Sequence, residues 1–126
     1  MNYVIASMVL GFVHIGLASG AATKVRGIAW NAGARDSKEA PLEGVAGRLE
    51  RASKNFMETF PLLLAAILAN LLQDNRPLPD LGLQVYFFAR LLYLPLYAFG
   101  IPYVRSLVWV ISVVGIIMVA AAAVSS

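Results

Sequence analysis

The sequence predicts an all-α protein, an integral membrane four-helix bundle, on three observations. First, 60% of its 126 residues are apolar and only 13% charged, with a mean hydropathy of +0.73, a composition suited to a membrane. Second, residues 3–22, 57–72, 81–99 and 103–124 are long and apolar enough to cross about 30 Å of hydrocarbon, which takes roughly 20 helical residues. Third, the basic residues gather in one connection between these segments. Residues 1–126 read as a single domain with no internal repeat and no low-complexity linker.

The first segment begins almost at Met1 without a basic lead-in, and its apolar core is too long for a signal peptide, so it is expected to stay as a helix. It carries the sole histidine, His14, within Gly11-Phe-Val-His-Ile-Gly16. One histidine cannot build a metal site without further ligands, so a neutral imidazole hydrogen-bonded between helices is expected and no metal is. Gly11, Gly16 and Gly20, with Ala18 and Ser19, offer a small-residue surface for close helix contact, within the bundle or between copies.

The connection to the second segment holds Lys24, Arg26, Arg35, Lys38, Arg48, Arg51 and Lys54, whereas residues 73–80 hold only Arg76 against Asp74 and Asp80. The positive-inside rule puts the long first loop in the cytoplasm, with the inner membrane as location if the source is bacterial. Both termini and the Asn75-Arg-Pro-Leu-Pro79 turn then face the other side. The turn Gly100-Ile-Pro102 returns to the cytoplasmic side, so Arg105 lies level with the basic loop. Gly27, Asn31, Gly33 and Pro41 are turn or boundary signals, and Pro41 followed by Glu43 marks a helix start. A helix over residues 42–72 exceeds what the bilayer needs, so its first turns project into water or lie in the interface. Pro61 lacks an amide hydrogen and should bend it near the membrane boundary.

Several chemistries are excluded by composition. With no cysteine, the chain has no disulfide, no thiolate metal site and no thiol nucleophile of its own. The net charge of +3 does not point to nucleic acid, because the basic residues flank membrane segments and are not interleaved with aromatics.

What remains is a set of ionisable groups beside or inside apolar segments, where they are costly and need partners: Arg26, Lys54, Glu58, Arg90 and Arg105. Arg51, Lys54, Asn55 and Glu58 fall at i, i+3, i+4 and i+7, a face able to grip a small zwitterion. Arg90 is flanked by apolar residues, and Glu58 is the carboxylate at its depth. An Arg90–Glu58 pair clamping two helices is therefore the structural alternative to a binding role. Tyr93 and Tyr97 continue the Arg90 stripe at i+3 and i+7, as interface anchors or as a polar wall. Arg105, Ser106 and Trp109 open the last helix, as a basic end of a span or as a cation and hydroxyl beside an indole.

Three blocks together resemble the family of membrane-associated proteins in eicosanoid and glutathione metabolism, MAPEG. They are Arg51-Ala-Ser-Lys-Asn-Phe-Met-Glu-Thr-Phe-Pro-Leu-Leu-Leu-Ala65, Val85-Tyr-Phe-Phe-Ala-Arg-Leu-Leu-Tyr-Leu-Pro-Leu-Tyr97 and Pro102-Tyr-Val-Arg-Ser106. The first resembles the signature shared by the leukotriene C4 synthase, microsomal glutathione transferase and prostaglandin E synthase branches, and the second closely resembles the leukotriene C4 synthase branch. The resemblance implies a homotrimer with glutathione held between adjacent subunits near the cytoplasmic face. Arg26, Lys54, Asn55, Glu58, Tyr93, Tyr97, Arg105 and Ser106 fall on positions that hold glutathione in the family. The ligand's chemistry fits such residues: its carboxylates need cations (Lys54, Arg26 or Arg90), its ammonium needs a carboxylate (Glu58), and its thiol reacts as thiolate. Arg105 is expected to hold the thiolate and Ser106 to donate a hydrogen bond to sulfur, as the catalytic pair.

Departures from the family pattern bear on the substrate. Lys54 stands where some members have Arg, keeping charge but losing bidentate geometry. Tyr93 replaces a histidine and Trp109 a tyrosine of the prostaglandin synthase branch, so endoperoxide isomerisation is not expected, and Pro95 interrupts the third segment. The expectation is a membrane glutathione transferase that conjugates glutathione to a lipophilic electrophile arriving from the bilayer, with membrane lipids around it and no nucleic acid or metal involved. The alternative is a non-catalytic member of this type that binds lipid or a partner. A transporter is disfavoured because the polar stripe stays in one half of the spans.

Overall fold

The computed structural model describes residues 2–35, 39–73 and 78–124, and every regular element among them is a helix. In chain order these are α1 (Tyr3–Arg26), α2 (Ile28–Ala32), α3 (Gly44–Leu71), α4 (Asp80–Ala98) and α5 (Val104–Val124). α1, α4 and α5 correspond to three of the four apolar segments, and the fourth is the second half of the longer α3. The short α2 is an addition: Gly27 and Gly33, read from sequence as turn signals, flank a helical turn. Lys38, Asp74, Asn75 and Arg76, which enter the loop and orientation arguments, lie outside the described residues.

Each helix end has a local cause. Asn2 caps α1, its side-chain oxygen accepting from Val4 N at 3.0 Å and Ile5 N at 3.2 Å. α1 closes at Gly27, whose φ of 96° is a backbone state reserved for glycine. α4 closes in a Schellman motif, with Gly100 at φ 71°, Gly100 N donating to Tyr97 O at 2.9 Å and Ile101 N to Leu96 O at 3.0 Å. Pro61 and Pro95 lie inside α3 and α4, and both helices run on through them.

α1, α4 and α5 are each long and apolar enough to cross a membrane, which makes this an integral membrane protein. α3 is longer than any of them, but it carries Arg48, Glu50, Arg51 and Lys54 in its first half and Glu58 at its middle, and only the stretch after Glu58 is apolar. α3 and α4 form the middle of the molecule. α1 packs on both from one side and α5 on both from the other, and α1 does not touch α5.

In hydrocarbon, association rests on close packing and interhelical hydrogen bonds rather than on exclusion of water. The α4–α5 seam uses small residues: a Cβ on Gly115 would stand 2.7 Å from Tyr86 N, and one on Gly82 2.9 Å from Val119 Cγ2. Phe56, fully buried at the centre, stacks on His14 with centroids 4.8 Å apart and on Phe60 at 5.2 Å. Gly11 makes room for it, since a Cβ there would lie 3.1 Å from the Phe56 ring. Polar contacts stitch α3 to its neighbours. Thr59 Oγ1 and Tyr86 Oη lie 3.0 Å apart, and Asn70 Nδ2 donates to Val119 O at 2.7 Å. Such bonds between membrane helices contribute about 0.6 kcal/mol on average and up to about 1.7.

One sequence expectation is corrected here. His14 is buried between helices, but it is held by its ring stack on Phe56; among the described residues neither ring nitrogen has a hydrogen-bond partner. Of the glycines expected to form a contact surface on α1, only Gly11 packs within the protomer, while Gly16 and Gly20 face open space.

Candidate functional site

The heptad-like run Ala52, Phe56, Thr59, Leu63, Ala66, Asn70 is the buried stripe of α3. Asn55 flanks that stripe, four residues before Thr59 and so nearly above it. Glu58, two residues past Phe56, is turned away from it by about 200° at 100° per residue. The core-facing stripe of α4 is Tyr86, Ala89, Arg90, Tyr93, with Tyr97 one turn further on. These two stripes face each other, and that pairing decides what Arg90 meets.

Arg90 is 0% exposed, and its Nη1 donates to Asn55 Oδ1 at 2.9 Å. Its guanidinium carbon sits 4.2 Å above the Tyr93 ring centre and 5.5 Å from that of Phe56. The Arg90–Glu58 pair foreseen as a helix clamp is absent: Glu58 is exposed and makes no ion pair with Arg90. Arg90 also does not line the cavity beside it, which it reaches only through Asn55 and Tyr93.

That cavity, about 280 Å³, is lined by Asn55, Tyr93, Tyr97, Arg105, Ser106 and Trp109. Tyr93 and Tyr97 tilt against each other with centroids 5.5 Å apart. Arg105 lies over Tyr97, its guanidinium carbon 4.5 Å from the ring centre, and its N–H groups make no hydrogen bond among the described residues. Arg51 Nε donates to Tyr97 Oη at 3.3 Å from the other side. Tyr103, two residues before Arg105, takes φ 52°, a left-handed conformation uncommon for a bulky residue. The Arg105 turn is further held by Arg48, whose Nε donates to Ala98 O at 2.8 Å and closes the C-terminal end of α4. Aromatic faces hold Arg90 and Arg105 in place here, and only Arg105 of the two lines the cavity.

Arg26 lies elsewhere. It borders a second cavity of about 260 Å³ between the end of α1, α2 and α3, together with Trp30, Asn31, Arg35 and Glu50. Arg26 and Arg35 both stack on Trp30, at 4.7 and 4.8 Å, and Arg26 Nη2 donates to Ala40 O at 2.9 Å. Lys54 is exposed and reaches Glu50 at 3.8 Å along α3.

Against this geometry, the profile of the MAPEG family matches residues 3–125, nearly the whole chain. The chain belongs to the MAPEG family. No curated protein and no solved structure matches it. In this MAPEG protein the expected site residues therefore fall into three places. Asn55, Tyr93, Tyr97, Arg105 and Ser106 share one cavity with Arg90 behind it, Arg26 sits on the opposite flank, and Lys54 and Glu58 lie on the exposed side of α3. Three residues outside the expected set support these places: Arg51 and Arg48 beside the Arg105 cavity, and Trp30 beneath Arg26. Arg51 is visible in the i, i+3, i+4, i+7 run. Arg48 and Trp30 carry no sequence signal, because their partners are 50 residues away or on an unexpected helix.

Proposed function

We propose that this MAPEG protein is a membrane glutathione transferase, a homotrimer of four-span protomers that binds glutathione between adjacent subunits. The observation that carries this reading is the Arg105 guanidinium, fixed over Tyr97 with its donors uncommitted in a cavity that also holds the Ser106 hydroxyl and the Asn55 amide. The wall is rich in donors, which suits carboxylates and a thiolate.

The separation of Arg26 from Arg105 supports the intersubunit arrangement. One protomer's cavity of about 280 Å³ falls just below the roughly 300–1,000 Å³ of small-molecule sites. Exposed Lys54 and Glu58, and the uncovered Gly16 and Gly20, leave polar groups and a close-packing surface for a neighbouring copy. Rotation about a threefold axis would bring the Arg26 flank of one subunit toward the Arg105 cavity of the next. In this reading α3 crosses with its apolar half, and the basic loop and Arg105 lie on the cytoplasmic side.

Mechanistically, the glutathione thiol gives its proton to water, and Arg105 with Ser106 holds the resulting thiolate. The sulfur attacks a carbon of a lipophilic electrophile, a C–S bond forms, and the leaving group departs with its electron pair. A charged donor at the reacting sulfur lowers the thiol pKa and stabilises developing charge. The test is purified protein in detergent with glutathione and a chlorinated aromatic substrate, read as chloride release and conjugate formation. Turnover is expected. Absence of both turnover and calorimetric glutathione binding would sink the proposal, and binding without turnover would favour a non-catalytic member of the family.

A further inference from the structure

We infer that Arg90 is a positioning residue that locks the Asn55 side-chain amide with its nitrogen turned into the cavity, so that this point of the wall accepts only a hydrogen-bond acceptor, a carboxylate or a peptide carbonyl. The ligand's identity rests on the glutathione reading above; the geometry does not.

The amide of an asparagine can ordinarily be placed either way round, and its orientation follows from its partners. Here the partner leaves no choice. A guanidinium carries five N–H donors and no acceptor, so the 2.9 Å contact with Arg90 Nη1 can be made only by Asn55 Oδ1. With the oxygen committed inward, Nδ2 occupies the other branch of the amide. Asn55 lines the cavity, and among the described residues its Nδ2 has no partner. Two donors are thus presented to the cavity beside Tyr97 and Arg105.

Arg90 is well suited to this because it cannot swing away. It is 0% exposed and pinned between the Tyr93 and Phe56 rings. A buried guanidinium is costly, and its one hydrogen bond among the described residues goes to Asn55, while Nε and Nη2 have none. A lysine could supply the charge but not the fixed planar fork.

The test is a double-mutant cycle on glutathione binding by calorimetry in detergent: wild type, Arg90→Gln, Asn55→Ala and the double variant. If Arg90 acts through Asn55, R90Q weakens binding about tenfold alone and less than twofold when Asn55 is already alanine. Equal losses in both backgrounds overturn the inference, because a merely structural Arg90 would cost the same in each. Should R90Q fail to fold, Arg90→Met, which removes the donor at similar length, replaces it in the same cycle. A second readout needs no ligand and no Arg90 variant: the ¹⁵N-labelled side-chain amide of Asn55, assigned by its absence in N55A, should exchange its protons readily with water. Protection of that amide in the ligand-free protein overturns the inference whatever glutathione does. A readily exchanging amide with no glutathione binding supports it and defeats only the transferase reading.

Discussion

Two flanks of the molecule use the same device, a guanidinium laid over an aromatic ring, and differ in how far its donors are tied within the protomer. At the α5 end the Arg105 guanidinium lies over Tyr97, and at the α2 end Arg26 and Arg35 lie over Trp30, all between 4.5 and 4.8 Å from the ring centres. What differs is where the donors go. Arg35 directs Nε and Nη2 to Asn31 O at 3.2 and 3.1 Å, and Nη2 also to Asn31 Oδ1; Arg26 reaches Ala40 O, and Asn31 in turn donates to Thr23. That network ties a short helix of five residues to the end of α1. Arg105 has no such ties among the described residues. Stacking on an aromatic ring positions a cation, and the fate of its N–H groups decides whether it holds the fold or waits for an anion.

The largest expected effect tests the α5 end. Arg105→Ala should lower conjugation turnover tenfold or more, the scale of a lost transition-state charge contact, while glutathione still binds. An unchanged turnover rate would erase the contrast between the two ends.

Next in size is Arg26→Ala. If Arg26 meets a glutathione carboxylate from the adjacent subunit, its loss should weaken binding by roughly tenfold, corresponding to about 1.5 kcal/mol for one charge-assisted hydrogen bond, with saturated turnover preserved. A fall in turnover as large as that of R105A would mean that both ends take part in the chemical step.

A smaller effect is expected from Arg48→Gln, which removes the 2.8 Å bond to Ala98 O that steadies the turn before Arg105. Stability in a thermal unfolding assay should fall by about 1 kcal/mol, with turnover reduced severalfold and binding little changed. Arg35→Ala should matter least. It removes one guanidinium from Trp30, worth about 0.5–1 kcal/mol at an exposed site, and leaves kinetics unaltered. A kinetic defect in R35A would show that Arg35 is more than a clasp.

Much of the fold is legible in the order of the residues. The long apolar segments lie in α1, α4, α5 and the second half of α3, and hydrocarbon length and helix rise make α1, α4 and α5 long enough to cross. Tyr93, Tyr97, Arg105 and Ser106 can be grouped because the first two lie one turn apart and the others follow across a short turn. The partner of Arg90 cannot be read with the same ease. Asn55 and Glu58 are three residues apart and equally close in depth, and only the rotation of α3 about its axis selects between them. In the packed protein the buried Ala52, Phe56, Thr59, Leu63 stripe shows that rotation, with Asn55 at its edge and Glu58 outside it.

Composition, periodicity and local motifs are enough to make the chain helical and membrane-embedded, to place it with the MAPEG proteins, and to put a set of polar residues at one depth. Each of those properties is set within a few turns of chain. Helix packing adds the rest: Arg90 is turned to Asn55 rather than Glu58, Arg48 closes the α4 end, and Arg26 and Arg105 occupy opposite flanks. Those are contacts between residues on different helices, and they depend on how each helix is rotated and packed against the next, which no local pattern specifies alone.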